Sequence, residues 1–379
     1  MTQLNKKILT IHGTIKNYPW GSHQTLARQR GALESVEPEA ELWFGDNPEG
    51  PSPVADSGLT LDRITSTLDP ALPKGQLPFL AKILAVERAL SLQVHPSLED
   101  IPELQNICKD QNHKPEMVVA LTEFQAFVGF ADINESLKLL KKLNSEKIND
   151  LLVNPLRAGV PIKEILKNIL GVEDTTGILD EVQKHLGYLD HIRGRWMREL
   201  IELYSPKLDP LATLLCELVI LQPGESLYLP PKCVHAYLNG TVVEVMANSD
   251  NVIRGGLTHK PIDKKNFLKI IDAERATALR IHPTMLSSHR EWKPPIVDFL
   301  LYEFQGEIDA ELVVENYAIA FAWQGRARIA QIAQVAQSEL PANESTHADV
   351  YHEVGALLAP GRYALTGSGS LWVATGKGR

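Results

Sequence analysis

Cysteine is scarce in this chain: there are three among 379 residues, Cys108, Cys216 and Cys233, with no Cys-x-x-Cys spacing. That argues against a disulfide framework and against a thiolate zinc site, and it points to a reducing compartment. Long apolar runs are missing too. No window approaches the roughly 18 consecutive apolar residues that span a bilayer, and no apolar stretch of signal-peptide length follows the two early lysines. A basic surplus is absent: 38 Lys and Arg against 47 Asp and Glu leave a formal charge of −9, the wrong footprint for nucleic acid. No P-loop or Gly-x-Gly-x-x-Gly run occurs, so no nucleotide cofactor is expected. Fixed-period repeats and low-complexity segments are also missing. What is left is a soluble, cytoplasmic protein without membrane or nucleic-acid partners. At 44% apolar residues it can bury large cores, and its length suggests two or three domains at about 150 residues each.

Glycine (25) and proline (24) are plentiful, and they divide the chain into short segments. Up to about residue 130 these read as strands: 81–85, 89–95, 117–121 and 126–130 are apolar runs of strand length. From Asn134, a plausible helix N-cap, the spacing becomes helical. Leu137, Leu140 and Leu143 mark one helix, and Ile162 to Ile169 mark a second that stops at Gly171. Segments 178–186 and 195–204 add two more. Strand texture resumes near 216, with a short strand over 226–229, a hairpin signal at Asn239-Gly240 and a helix over 272–279. Beyond Trp292 come short strands, with turns expected at Gln305-Gly306, Gln324-Gly325 and Pro360-Gly361. The class is mainly β with a helical insert. Residues 1–130 and 216–285 form a discontinuous first domain, 131–215 the insert, and 286–379 a smaller C-terminal β domain.

Three short stretches carry possible chemistry. In Leu90-Ser91-Leu92-Gln93-Val94-His95-Pro96 the strand alternation turns Ser91, Gln93 and His95 to one face. That face is either solvent or a polar interior that supplies partners. Glu116 opens an apolar strand behind a rigidifying proline, in Asn112-His113-Lys114-Pro115-Glu116; it reads as a ligand, a base or an ordinary strand start. His235 and Tyr237 share a face after the Pro230-Pro231 turn. Gln93, His95, Glu116 and His235 together make a mixed nitrogen and oxygen set suited to a divalent ion with open coordination positions. Chemistry alone does not select these four from twelve histidines and many acids.

A resemblance does select them. The stretches Tyr18-Pro19-Trp20-Gly21, Glu41-Leu42-Trp43-Phe44-Gly45, Leu77-Pro78-Phe79-Leu80-Ala81-Lys82, Gln93-Val94-His95-Pro96, His113-Lys114-Pro115-Glu116 and Gly224 through Leu257 follow one another in a familiar order. In them the chain resembles type I mannose-6-phosphate isomerase, a zinc enzyme family of the cupin superfamily. The resemblance covers about residues 12–260 and loosens past 285. It implies a cupin-type β-barrel or jelly-roll catalytic domain and a cupin-like C-terminal domain. The ligands of one zinc ion per chain would be Gln93, His95, Glu116 and His235, and a functionally important arginine would be Arg254. Ser91, Lys82, Lys114, Tyr237, Glu244, Lys260 and His113 would lie around the substrate. The sequence departs from relatives at Asp46-Asn47-Pro48, commonly Thr-His-Pro, and at His259, often proline.

The implied reaction interconverts mannose 6-phosphate and fructose 6-phosphate by moving a proton between C1 and C2 through an enediol. Lys82, Lys114, Arg254 and Lys260 would offer cations to the phosphate. Glu244 is a candidate base, with a strand carboxylate paired to an arginine as the alternative, and His113 and Lys114 are runners-up. A monomer is expected. Two other classes remain open: a metal-dependent oxygenase-type cupin and a non-catalytic sugar-binding cupin.

Overall fold

The computed structural model describes residues 7–68, 72, 75–172, 175, 177–332 and 347–376. It is mainly β, as the turn-rich texture predicts, with the strands gathered into one sheet of ten and one of eight.

The ten-stranded sheet is organised on a single long strand, His235–Ala247. Its first residues pair with Leu92–Val94 and Phe124–Phe130, and from Gly240 onward it pairs with Phe79–Val86 and Glu116–Ala120. Asn239-Gly240 is therefore not the hairpin turn its sequence suggests; it lies inside this strand. Gly240 has φ 115°, and a Cβ there would sit 2.3 Å from the Glu123 carbonyl oxygen, so only glycine fits. The register shifts between Tyr237 and Asn239, which inverts the alternation as a bulge does. Before it, Ala236 and Leu238 pack on the helices while Tyr237 packs with Phe124 and Val128 on the opposite face; after it, Val243 and Val245 pack toward the second sheet while Val242 joins Tyr237. His235 on one side of the bulge and Glu244 on the other thus face inward together.

Helices form where the periodicity predicts them, at Ile133–Lys142, Ile162–Gly171, Ile178–His185 and His191–Tyr204. Ile165, Leu166 and Ile169 are buried, each contributing about 1.5–3 kcal/mol of transfer free energy. They share a core with Leu92, Val94 and Ile253, so the helices back the strands on the face opposite Gln93 and His95. The N-cap of the first helix is Asp132, not Asn134: the Asp132 carboxylate accepts the Asn134 N–H at 2.8 Å. Segment 272–279 is not a helix. The Asp272 side chain takes the Arg275 N–H at 2.9 Å and caps a single turn, and the chain then extends so that Leu279 bridges to Tyr228 at the sheet edge.

In the eight-stranded sheet, Leu300–Val314, Gly361–Thr375 and Ala318–Gln331 run side by side. Gln305-Gly306 and Gln324-Gly325 are interior to these strands rather than turns, whereas Pro360-Gly361 does join two strands. Gly306, Gly369 and Gly325 stand in one cross-strand row. A Cβ on Gly325 or Gly369 would come 2.0 Å from a neighbouring carbonyl oxygen. The N-terminal strand Ile8–His12 also belongs to this sheet, pairing with Val354–Leu358. A shared core of residues such as Phe79, Val245, Phe321 and Trp372 packs the two sheets together.

Candidate active site

His95 lies just past the Leu92–Val94 strand, Glu116 opens its strand, and His235 opens the long one. Their ligating atoms lie within 4.8 Å of one another, and all three residues are buried. His95 Nε2 is 3.2 Å from Glu116 Oε1, and His235 Nε2 is 3.6 Å from Glu116 Oε2. The other ring nitrogens aim them. His95 Nδ1–H donates to the Asn251 carbonyl at 2.7 Å, and His235 Nδ1–H to the Cys233 carbonyl at 3.0 Å. A carbonyl can only accept, so each Nδ1 carries the proton and each Nε2 presents a lone pair to the cluster.

Burial keeps both rings neutral. It pulls His235 down to about 4 against the attraction of Glu116, and with Lys114 it lowers His95. Burial alone would raise the Glu116 carboxyl, but the Lys114 ammonium holds it well below the usual carboxylate range. Gln93 stands directly opposite His235. Its amide lies 3.1 Å from His235 Nε2, and its Oε1 accepts from Ser91 Oγ at 3.2 Å. The Tyr237 hydroxyl donates to Glu116 Oε2 at 3.1 Å. Lys114 Nζ rests 2.7 Å from Glu116 Oε1 and 3.5 Å from His95 Nε2. An ammonium already leaning on two donor atoms shows that the group demands positive charge. Two neutral imidazoles, a carboxylate and an adjacent amide suit a divalent ion of borderline softness. Cys233 contributes a carbonyl rather than its thiol, which burial pushes up to about 12.

A second charged row adjoins the first. Trp43, Lys82 and Glu244 are register partners across three strands. Lys82 Nζ lies 3.2 Å from Glu244 Oε2 and 3.5 Å from Glu41 Oε2, and 4.6 Å over the Trp43 ring. The Trp43 indole N–H donates to Glu41. The partner of Glu244 is thus a lysine, not the arginine weighed from the sequence. Burial and then Glu116 push the Glu244 carboxyl up to about 7. Burial would lower Lys82, but Glu41 and Glu244 overturn that and keep it charged. Glu41 and Trp43 went unassigned in the sequence reading. The available signal was a charged residue two positions from a tryptophan, facing the same way in an otherwise apolar strand.

Arg254, Gln93 and His235 stand opposite one another across three strands, an arrangement that puts side chains on one face. Lys260 is exposed, with Nζ 5.1 Å over the Tyr18 ring; burial and then Arg254 lower its pKa. His113 turns to Asp298, with Nε2 3.2 Å from Oδ1, and His259 packs against Tyr204 at 5.3 Å between ring centroids. The structure therefore joins Ser91, Gln93, His95, Lys114, Glu116, His235 and Tyr237 into one hydrogen-bonded group, with the Lys82–Glu244 pair beside it. Arg254 shares its face, and Lys260 and His113 make their own contacts.

Comparison with known proteins gives concordant results. A family model described as phosphomannose isomerase type I, catalytic domain, matches residues 8–133. The mannose-6-phosphate isomerase of Escherichia coli (strain K12) is 31% identical over 350 residues, covering 83% of this chain and 88% of that protein. The Rattus norvegicus mannose-6-phosphate isomerase is 28% identical, covering 89% and 92%. A crystal structure of mannose 6-phosphate isomerase in its holo, zinc-bound form superposes with a TM-score of 0.83 at 25% identity, covering 98% of this chain and 100% of the other.

Proposed function

The chain belongs to the type I mannose-6-phosphate isomerase family, and we propose that it interconverts D-mannose 6-phosphate and D-fructose 6-phosphate by proton transfer between C1 and C2 through an enediol, with one zinc ion held by Gln93, His95, Glu116 and His235. The observation that carries this reading is the buried His95–Glu116–His235 group, its Nε2 lone pairs aimed inward and its carboxylate ionised. Zinc, when bound there, supplies a Lewis acid that lowers the cost of negative charge on the sugar oxygens.

The chain's own residues do the rest. Glu244, its carboxyl pushed up to about 7, is poised to accept and return the proton near neutral pH. Lys82 stays charged between Glu41 and Glu244 and orients that carboxylate. Tyr237 holds Glu116, and Ser91 holds the Gln93 amide. Arg254, in line with Gln93 and His235, stabilises charge developing on the substrate, Lys260 adds a cation for the phosphate, and Lys114, held at Glu116, adds one beside the reacting carbons. The phosphate carries about −2 at pH 7, and gripping it far from the reacting carbons supplies orientation. His113, tied to Asp298, lines the outer part of the substrate path.

The three cysteines are unpaired, which supports a cytoplasmic setting, and no helix among the described residues is long and apolar enough to cross a membrane. The test is isomerisation of mannose 6-phosphate by the purified chain. Turnover should vanish on chelation, return with zinc and consume no oxygen. Activity that persists after complete metal removal would sink the assignment.

A further inference from the structure

The loop leading into Lys114 and Glu116 is tied to the loop leading into Arg254 by a small group of bonds with the Asn251 side chain at its centre. Asn251 is 1% exposed, and its amide is fully used. Its Oδ1 accepts the N–H groups of Lys109 at 2.7 Å and Asp110 at 3.2 Å. Its Nδ2 donates to the Asp110 carbonyl and Asp110 Oδ1, both at 3.0 Å, and to the Asn112 carbonyl at 2.8 Å. Ser249, fully buried, adds Oγ bonds to Asp110 Oδ1 at 2.9 Å and to the Asn112 carbonyl at 3.2 Å, and Asp250 N–H reaches Asp110 Oδ2 at 2.8 Å. The same Asn251 offers its main-chain carbonyl to His95 Nδ1–H at 2.7 Å.

A loop carbonyl has no direction of its own, because the peptide plane turns freely unless its neighbours are pinned. Here the amide of the same residue does the pinning. Five polar groups converge on this buried amide, and turning it would leave them unpaired. We propose that Asn251 is a positioning residue for the metal-ligating group. Its side chain clasps the 109–112 loop so that its carbonyl meets His95 Nδ1, which aims the His95 Nε2 lone pair and sets it against Glu116 on the clasped chain. This rests on the reading that His95 is a ligand. Asn251 acts only through its neighbours, and its neutral amide suits a joint beside the Lys109–Asp250 pair, where a further charge would disturb the balance.

The experiment titrates the full-length, metal-stripped chain with zinc against a chromogenic chelator, for wild type, Asn251→Ala, Ser249→Ala and Leu140→Ala. Leu140 is buried in the insert and reports destabilisation remote from the loops. Asn251→Ala should weaken zinc binding by about 10–100-fold, the usual effect of losing an outer-shell partner, and should lower kcat more than it raises KM. Ser249→Ala should move both in the same direction by less, and it carries the test if Asn251→Ala fails to fold. Leu140→Ala should lower the melting temperature and bind zinc as wild type does. Wild-type zinc affinity in folded Asn251→Ala, or in Ser249→Ala when that variant stands alone, overturns the inference while leaving the ligand assignment standing. Equal weakening by Leu140→Ala also overturns it. A wild-type chain that takes up no zinc brings down the ligand assignment and this inference with it.

Discussion

Asp46 offers a stability prediction with a definite sign. It is fully buried, its Oδ2 accepts the Leu77 N–H at 2.8 Å and its Oδ1 accepts from Asn248 Nδ2 at 2.8 Å. Burial outweighs these bonds and raises the carboxyl from 3.8 to about 6. Between those two values the folded chain holds a proton that the unfolded chain has released, so stability falls as pH rises and levels off above the folded pKa. At about 1.4 kcal/mol per pH unit the full loss is about 3 kcal/mol, of which about 2 kcal/mol falls between pH 4.5 and 7.5. Asp46→Asn removes the titration and leaves one donor facing another, a roughly constant cost of about 1–3 kcal/mol. Urea unfolding of both chains across that range should therefore show wild type losing its advantage over the variant by about 2 kcal/mol as pH rises. A difference that stays flat, or grows with pH, would mean that hydrogen bonds rather than burial govern this carboxyl.

Other expected outcomes concern the site directly. Glu116→Ala and His235→Ala should lose zinc and isomerase activity together, whereas Arg254→Ala should keep zinc by metal analysis and lose turnover; normal turnover in that variant refutes the role given to the arginine. Glu244→Gln should lower kcat by about 10²–10⁴-fold and remove the acid limb of the pH–rate profile, which in wild type should fall away below about pH 7. Gly240→Ala should destabilise the fold by at least about 2 kcal/mol in denaturant titration, since it combines a strained φ with a Cβ 2.3 Å from the Glu123 oxygen.

Much of the site was legible because it rests on short-range rules. Strand alternation alone put Ser91, Gln93 and His95 on one face, and the buried Leu92 and Val94 confirm the other. Helical spacing located the helices between 133 and 204, and local motifs that carry the family resemblance picked out His95, Glu116 and His235, which the fold brings together beside Gln93. What escaped depends on partners distant in sequence. Glycine permits positive φ equally in a tight turn and at a bend within a strand, so nothing local separates Asn239-Gly240 or Gln324-Gly325 from a hairpin. The distinction lies with Glu123 in one case and Ser368 in the other. Glu41 reads as an ordinary strand carboxylate until Lys82 arrives from the neighbouring strand. Asn251 looks like a turn residue until the 109–112 loop closes on it.

The row of Gly306, Gly369 and Gly325 has a consequence for how the C-terminal strands find each other. A sheet normally tolerates misalignment by two residues, since every inward face stays inward. Here a slip of Ala318–Gln331 would set a side-chain-bearing residue where a Cβ collides with the Ser368 oxygen, and a slip of Gly361–Thr375 would set one against the Gln324 oxygen. Gly325 and Gly369 thus index these two strands to a single alignment, and length changes within them can be absorbed only beyond the strand ends.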